Sequence, residues 1–287
     1  MVFVGKMMAV IFARVAYSVL RLAGWKRKTV LANAKHVAGA VPSVAGLNYN
    51  SLLKNLTRHA SELLFCFGTF KRLPVDFSKY PCRVDGWNFA LDEAAIPVLE
   101  KMRSGGIFLT AHYGNYEAMG PWLCRLGIPL VASYIPVKPK WLNNILERKI
   151  RAVDGRSYSV DARTPRDFLC LLNDGKLFCL LADQDSRIPS AIDGTFLGRS
   201  VNVNPLPGFL LKHRPQTPIY ICWIEEKNGA RVLHAIEISC PSQSALPEIV
   251  DSRFNKWLEE RIRENPNLWY GFTHRRFYSR SPEIYGK

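Results

Sequence analysis

The segment spanning residues 105–117 constrains the fold most, because its pattern predicts a strand, a turn and a helix in direct succession. The pair Gly105-Gly106 favours a turn, and the apolar run Ile107-Phe108-Leu109 is typical of a buried strand. His112 follows the strand and stands five positions before Glu117. An imidazole and a carboxylate at a strand end can together remove a proton from a hydroxyl nucleophile.

The same alternation of helical patterns and short apolar runs extends along the chain. Helices are predicted at residues 50–70, 91–103, 116–126, 141–153, 165–174, 208–213 and 253–264, and strands at 107–110, 176–182, 218–225 and 230–239. We expect Asn50 to cap the first of these helices. The pattern predicts an α/β fold, a single-domain mixed sheet flanked by helices. Residues 1–75 form a helical N-terminal region and residues 76–287 the α/β region, with no Pro/Ser-rich linker between them.

The N-terminal region contains an apolar stretch at residues 7–24 that is interrupted by Arg14 and Arg21. A spanning helix needs about 20 mostly apolar residues, and arginines inside it are costly. We therefore predict an amphipathic helix that lies in a membrane interface, with the basic run Lys26-Arg27-Lys28 near lipid phosphates. The alternative is an ordinary first helix of the fold.

The formal net charge is +15, which implies an anionic partner such as nucleic acid, an anionic membrane surface or an acidic substrate. The sequence has no arginine-rich tail, zinc-finger spacing or RNA-binding motif, so we expect no nucleic-acid partner. The 7 cysteines include no C-x-x-C pair, and we interpret them as small buried side chains in a reducing compartment. The sequence predicts neither a disulfide framework nor a metal site.

The spacing of His112 and Glu117 is not that of two residues on one helix face, which would be three or four positions. The pair can meet if His112 ends a strand and Glu117 lies in the first helical turn. The carboxylate would then fix the imidazole tautomer and raise its basicity. Alternatively, Glu117 simply favours the helix N-terminus beside an unrelated histidine.

The block His112-Tyr113-Gly114-Asn115-Tyr116-Glu117 resembles the His-x4-Asp/Glu motif of the lysophospholipid acyltransferase superfamily. It is most similar to the late acyltransferases of lipid A biosynthesis, the lauroyl and myristoyl transferases. Three further blocks match this family in order, and they are Asp183-Gln184-Asp185, Gly194-Thr195-Phe196-Leu197-Gly198 and the segment from Trp269 to Phe277. The resemblance covers residues 50–280, and four ordered blocks are more specific than any one of them.

This resemblance implies a glycerol-3-phosphate acyltransferase-like fold and transfer of a fatty acyl chain to a hydroxyl of a lipid A precursor. The donor would be an acyl thioester, on acyl carrier protein or coenzyme A. His112 would deprotonate the acceptor and Glu117 would orient His112, without a covalent acyl-enzyme, a cofactor or a metal. The family resemblance also implies a location on the cytoplasmic face of an inner membrane.

The resemblance and the basic residues together suggest a set of substrate-binding candidates. They are Asn115, Arg151, Arg156, Asp183, Gln184, Phe196, Gly198 and Arg199, with Arg148 and Arg187 as further cations. Arginine forks suit the two phosphates of a lipid A precursor. Either Arg151 or Arg156 would match the functional arginine of the family. The alternatives are a turn or cap role for Asp183, a hairpin turn at residues 196–198 and a solvated basic face.

Two other functions are compatible with the same sequence. The acceptor could be a lysophospholipid, a glycolipid or an aminolipid, since departures from the family pattern affect the acceptor more than the reaction. The chain could also be a basic membrane-binding protein without catalysis, although the intact His112, Glu117 and Asp183 argue against a decayed site.

Overall fold

The computed structural model describes residues 2–133, 138–160, 163–238 and 253–286. The α-helices are α1 (Val2–Leu22), α2 (Arg27–Ala38), α3 (Tyr49–Lys71), α4 (Ile96–Met102), α5 (Tyr116–Arg125), α6 (Lys140–Ile145), α7 (Pro165–Asn173), α8 (Leu206–His213) and α9 (Lys256–Glu264). The strands are β1 (Cys82–Val84), β2 (Trp87–Leu91), β3 (Gly106–Thr110), β4 (Leu130–Ser133), β5 (Ala152–Val153), β6 (Arg156–Ser157), β7 (Ser159–Val160), β8 (Leu177–Leu181), β9 (Ile192–Phe196), β10 (Arg199–Val203), β11 (Ile219–Lys227) and β12 (Ala230–Ile238).

Eight of these strands form one mixed sheet in the order β1-β2-β12-β11-β3-β8-β4-β7. Strand β3 runs parallel to both of its neighbours, β11 and β8, whereas β11 and β12 form an antiparallel hairpin. The pairs β9–β10 and β5–β6 form two separate two-stranded sheets. The predicted α/β class, with a mixed sheet flanked by helices, is confirmed.

Alternate residues of the central strands enter two different cores, one on each face of the sheet. Ile107 and Leu109 belong to one core, and Phe108 belongs to the other. Every residue of β3 is buried, as the continuous apolar run at residues 107–109 predicted. Helices therefore cover both faces of the sheet at its centre.

The helices divide between the two faces. The core around Phe108 receives side chains from α4 and α5, and the core around Ile107 receives them from α7, α8 and α9. The N-terminal helices also take part, because Val30 of α2 and Leu52 of α3 enter the Ile107 core while Phe70 of α3 enters the Phe108 core. Helices α2 and α3 thus take part in the cores that cover the sheet, and Phe70 of α3 packs against Phe89 of β2.

Several predicted boundaries differ from the structure. Leu91 ends strand β2 instead of opening a helix, and α4 begins only at Ile96, followed by Pro97 in its first turn. The predicted helix at 141–153 breaks after Ile145 into a short π-helical turn and then strand β5. The cap of α3 is Asn48 and not Asn50, since the Asn48 side chain accepts hydrogen bonds from the backbone N–H groups of Asn50 and Ser51.

The N-terminal helix α1 packs along α3, where the rings of Phe12 and Phe65 lie 5.4 Å apart. Among the described residues, no single helix is long and apolar enough to cross a membrane. Residues 4–22 and 27–38 reach the length and apolar composition of a membrane span only together, and these two helices are bent by 78° relative to each other. The predicted position of α1 in a membrane interface remains a prediction.

Candidate active site

Two neighbouring parallel strands bring His112 and Asp183 together. Strand β3 ends at Thr110 and β8 ends at Leu181, and these two residues are paired in register. Because parallel strands end at the same edge of a sheet, the residues that follow them meet there. His112 and Asp183 each lie two positions beyond the end of their strand.

Asp183 holds His112 through both of its carboxylate oxygens. His112 Nδ1 lies 2.8 Å from Asp183 Oδ1, and the His112 backbone N–H donates to Oδ2 at 3.0 Å. The Asp183 residue is only 1% exposed. Since an ionised carboxylate can only accept hydrogen bonds, Nδ1 carries the proton and Nε2 keeps its lone pair in the neutral ring.

Trp269 completes the support of Asp183. Its indole Nε1–H donates to Asp183 Oδ2 at 2.9 Å, in a buried contact. The tryptophan is positioned by a short antiparallel bridge in which Trp269 pairs with Tyr113. The Tyr270 N–H donates to the His112 carbonyl at 2.8 Å, and the Gly114 N–H donates to the Leu268 carbonyl at 2.9 Å. The C-terminal segment is therefore bonded to the backbone of the histidine turn.

Burial and charge shift the pKa values of His112 and Asp183 in opposite directions. Burial by itself lowers the pKa of His112, but the negative charge of Asp183 and its hydrogen bond outweigh burial and raise that pKa above its ordinary value. Burial by itself raises the pKa of Asp183, but the charge of His112 and the hydrogen bonds from His112 and Trp269 hold that pKa well below its usual range. Asp183 is therefore a permanent carboxylate, and His112 is a strengthened base.

The remaining edge of His112 faces exposed polar groups. The Gln184 side-chain amide nitrogen lies 3.4 Å from His112 Nε2, and Gln184 is exposed. The rings of Tyr116 and His274 lie 5.0 Å and 5.4 Å from the His112 ring. A substrate hydroxyl that approaches between these side chains can donate to Nε2.

The expected pairing of Glu117 with His112 is wrong in its geometry, because Asp183 occupies the ring nitrogen that Glu117 would hold. Glu117 lies in the first turn of α5 and its nearest charged partner is Arg151, whose Nη2 lies 3.5 Å from Glu117 Oε1. Glu117 still acts through space, since its charge helps to raise the pKa of His112 after burial and Asp183 have acted. Glu117 thus contributes charge to the site, and Asp183 contributes the hydrogen bond.

Asp183 and Asn115 are not placed as substrate ligands. Both oxygens of Asp183 are committed to His112 and Trp269, so its role is to orient the base. Asn115 is buried, and its side chain donates to Glu62 Oε2 at 3.1 Å instead of facing His112. The hydrogen bonds of both side chains are therefore made within the protein.

The block at residues 194–198 forms the hairpin turn that stood as the alternative to a substrate-binding role. Phe196 is fully buried and its ring lies 5.2 Å from that of Trp269, so it cannot contact an acceptor. Gly198 has φ +69°, and a Cβ added there would lie 2.6 Å from Ala40 Cβ. Phe196 therefore supports Trp269, and its assignment as an acceptor contact is wrong. Gly198 is exposed, and its assignment stays a prediction.

The predicted phosphate-binding arginines do not converge on one place. Arg151 contacts Glu117, Arg156 is exposed on β6, and Arg199 donates from Nε to the His36 carbonyl at 2.7 Å. Of the other two cations, Arg148 is exposed and Arg187 lies 3.2 Å from Asp185. Among the candidates, Gln184 alone lies within hydrogen-bonding distance of the free edge of His112.

Trp269, Tyr116 and His274 are neighbours of the base that the sequence did not predict as site residues. Tyr116 and Trp269 stand inside the blocks that carry the family resemblance, so their positions in the sequence could have indicated them. His274 also stands in the last of these blocks, and its ring borders that of His112. Burial, followed by the neighbouring His112, lowers the pKa of His274, which favours its neutral form.

No group of three or more His, Cys, Asp and Glu side chains among the described residues could hold a metal ion. No protein-family model matches the chain, and no curated protein matches it either. The chemistry of the site therefore has to be argued from its geometry.

Proposed function

We propose that this protein is an O-acyltransferase that moves a fatty acyl chain from an acyl thioester to the hydroxyl of a lipid acceptor. The observation that carries the proposal is the His112–Asp183 pair, in which a buried carboxylate fixes the Nδ1–H tautomer and leaves Nε2, 3.4 Å from the exposed Gln184 amide, as the basic nitrogen. General bases of this kind deprotonate hydroxyl nucleophiles. The resemblance of residues 112–117 to the His-x4-Glu acyltransferase motif points to the same reaction class.

The proposed reaction proceeds in two proton transfers around His112. The acceptor hydroxyl gives its proton to Nε2 while its oxygen attacks the thioester carbonyl. The resulting tetrahedral intermediate collapses, breaks its carbon–sulfur bond and takes the proton back from the imidazolium onto the leaving thiol. Asp183 stays ionised throughout, and its charge stabilises the imidazolium that forms between the two steps.

A small cavity lined in part by Tyr116, whose ring lies 5.0 Å from that of His112, supports an acyl substrate. It has a volume of about 90 Å³, and Glu117 also lines it. Phe108, Met119 and Leu130 contribute to its apolar lining. The cavity could take up a few methylene groups close to a bound thioester.

The acceptor that we propose is a lipid A precursor, and the donor is an acyl thioester on acyl carrier protein or coenzyme A. The net charge of +15 suits a phosphorylated acceptor at an anionic membrane surface. Under this proposal the protein acts at the cytoplasmic face of an inner membrane. A lysophospholipid, glycolipid or aminolipid acceptor would use the same base and the same steps.

The reaction can be tested by mass spectrometry of the product after the purified protein is incubated with acyl carrier protein thioesters and a lipid A precursor. His112→Ala should lower the rate by roughly 10²- to 10⁴-fold, the usual contribution of a general base. His213→Ala is the matched control, because His213 lies on α8 and is exposed. An unchanged rate in His112→Ala would exclude this mechanism.

The acceptor can be identified separately. Mass spectrometry of the lipids from a deletion strain should show a change in the number of acyl chains on lipid A. A change confined to phospholipids would instead support the lysophospholipid acceptor. If no lipid changes and the protein only binds anionic vesicles, the non-catalytic membrane-binding alternative is favoured.

A further inference from the structure

A groove lined by residues of α1, α3 and the sheet strands β2 and β12 carries an inference that is independent of acyl transfer. It lies between α1 and α3, has a volume of about 560 Å³ and is distinct from the residues around His112. Its apolar wall consists of Ala9, Val10 and Ala13 of α1 together with Trp87 of β2. Its volume falls within the range of about 300–1,000 Å³ that is usual for small-molecule sites.

Cations surround this apolar wall. Lys6, Arg14 and Lys54 line the groove, and none of the three forms an ion pair with a carboxylate in the part of the chain that the structure describes. Lys6 Nζ lies 4.9 Å from the centroid of the Trp87 ring, so one of these charges stands directly over the apolar surface. The groove therefore combines an apolar wall with three cations, of which only Lys6 feels a nearby carboxylate of the described residues, that of Asp85.

The other charged residues of the groove, Arg58, Glu62 and Arg231, each form an ion pair. Arg58 lies 2.8 Å from Glu226, and Arg231 lies 3.0 Å from Glu62. The carboxylate of Glu62 is thus already paired, and it does not offset Lys6, Arg14 or Lys54. The net positive charge that remains calls for an anionic ligand, while the wall calls for a hydrocarbon chain.

The exposed apolar residues of α1 are Val4, Met7, Met8, Val10, Ile11, Phe12, Val15, Val19 and Leu22. Of these, Val10 also lines the groove, so the exposed apolar surface of α1 continues into the groove wall at that position. At about 100° per residue the others lie mainly on the side of α1 turned away from Lys6, Ala13 and Tyr17.

We propose that the groove between α1 and α3 binds one anionic phospholipid molecule. An acyl chain lies along Ala13 and Trp87, and the phosphate lies among Lys6, Arg14 and Lys54. Charged headgroups attract such cations, and the chain is removed from water along the apolar wall. The bound lipid has no role in the chemistry at His112.

Native mass spectrometry of the full-length protein with phosphatidylglycerol and with phosphatidylcholine tests this inference. We expect a one-to-one complex with phosphatidylglycerol that Ala13→Phe abolishes, because the added ring fills the groove. Ala23→Phe is the matched control, since Ala23 is exposed and lies outside the groove lining. His112→Ala should bind the lipid as the unmodified protein does, which separates this result from the test of the proposed reaction.

The contribution of charge is measured by comparing two double variants. Arg14→Ser with Lys54→Ser should weaken phosphatidylglycerol binding by about tenfold or more, given about 1 kcal/mol for each cation at an anionic surface. Arg21→Ser with Lys28→Ser removes the same charge from exposed positions outside the groove and should have little effect. The inference is overturned if phosphatidylcholine binds equally well, if Ala13→Phe still forms the complex, or if both double variants weaken binding equally.

Discussion

The indole N–H of Trp269 donates a hydrogen bond of 2.9 Å to Asp183, a residue 86 positions earlier in the chain. Asp183 in turn accepts hydrogen bonds from the ring and the backbone of His112. Trp269 is fully buried, and Phe196 packs against its ring. The orientation of the proposed base therefore depends on an indole near the C-terminus that acts on the imidazole through Asp183.

Removal of this indole donor tests the dependence directly. Trp269→Phe keeps an aromatic ring but leaves Asp183 with one donor fewer, and hydrogen bonds to charged groups contribute about 1.5–3 kcal/mol. We expect the free energy of unfolding to fall by about that amount, measured by urea denaturation. We also expect kcat to fall by about tenfold, because each 1.4 kcal/mol of lost orientation corresponds to about that factor.

Trp257 provides the control for the smaller ring volume. It is also buried, but its Nε1 has no hydrogen-bond partner among the described residues. Trp257→Phe should therefore show only the cost of the smaller ring. If the two variants lose equal stability and equal activity, the hydrogen bond to Asp183 has no special role.

The relative importance of Asp183 and Glu117 is the second prediction. Asp183→Asn removes the charge that fixes the His112 tautomer, and kcat should fall by roughly 10³- to 10⁴-fold. Glu117→Gln removes a charge that forms no hydrogen bond to His112 in the structure, and kcat should stay within about tenfold of the unmodified enzyme. Steady-state kinetics on both variants shows whether Asp183 or Glu117 is the group that orients His112. A larger loss in Glu117→Gln would restore Glu117 as the orienting group.

The pH dependence of the reaction follows from the raised pKa of His112. The base must be neutral to accept a proton, so kcat/KM should fall as the pH decreases through this pKa, which lies above the ordinary value of 6.5. In Asp183→Asn the raising charge is lost while burial still lowers the pKa of His112, so the acidic limb of the profile should move to lower pH. An NMR titration of the His112 ring should shift in the same direction. A limb that keeps its position in Asp183→Asn would assign it to another group.

Local sequence patterns were sufficient to predict the two strands that precede His112 and Asp183. The apolar run at residues 107–109 predicted β3, and the run at 176–182 predicted β8, because buried parallel strands have continuous apolar sequences. The position of His112 at a strand end followed from the same pattern. Sequence periodicity does not reveal the order of strands in a sheet. Asp183 lies beside His112 because β3 pairs with β8.

Proximity in the sequence is misleading for the side-chain contacts of Glu117 and Phe196. Glu117 stands five positions from His112, which predicts a pair, although the start of α5 directs Glu117 toward Arg151. Phe196 stands in a family-like block, which predicts a place beside the acceptor, but the structure buries it against Trp269. Burial of a side chain depends on long-range packing, which a single sequence does not show.

Gly198 gives the fourth prediction, since it approaches Ala40 closely in the structure. Its φ of +69° is strained for any residue with a side chain, and a Cβ there would lie 2.6 Å from Ala40 Cβ. Gly198→Ala should lower the free energy of unfolding by about 2–4 kcal/mol, from backbone strain and overpacking together. Urea denaturation measures this loss.

Gly229→Ala is the matched control for Gly198→Ala. Gly229 has a similar φ of +75°, but no neighbouring atom lies within 4 Å of the added Cβ. Its substitution should cost only the backbone term of about 1–2 kcal/mol. The KM for the acceptor should be unchanged in both variants. A raised acceptor KM in Gly198→Ala with unchanged stability would instead show that the turn at residues 196–198 touches the substrate, because a weaker interaction with the acceptor reduces binding without unfolding the protein.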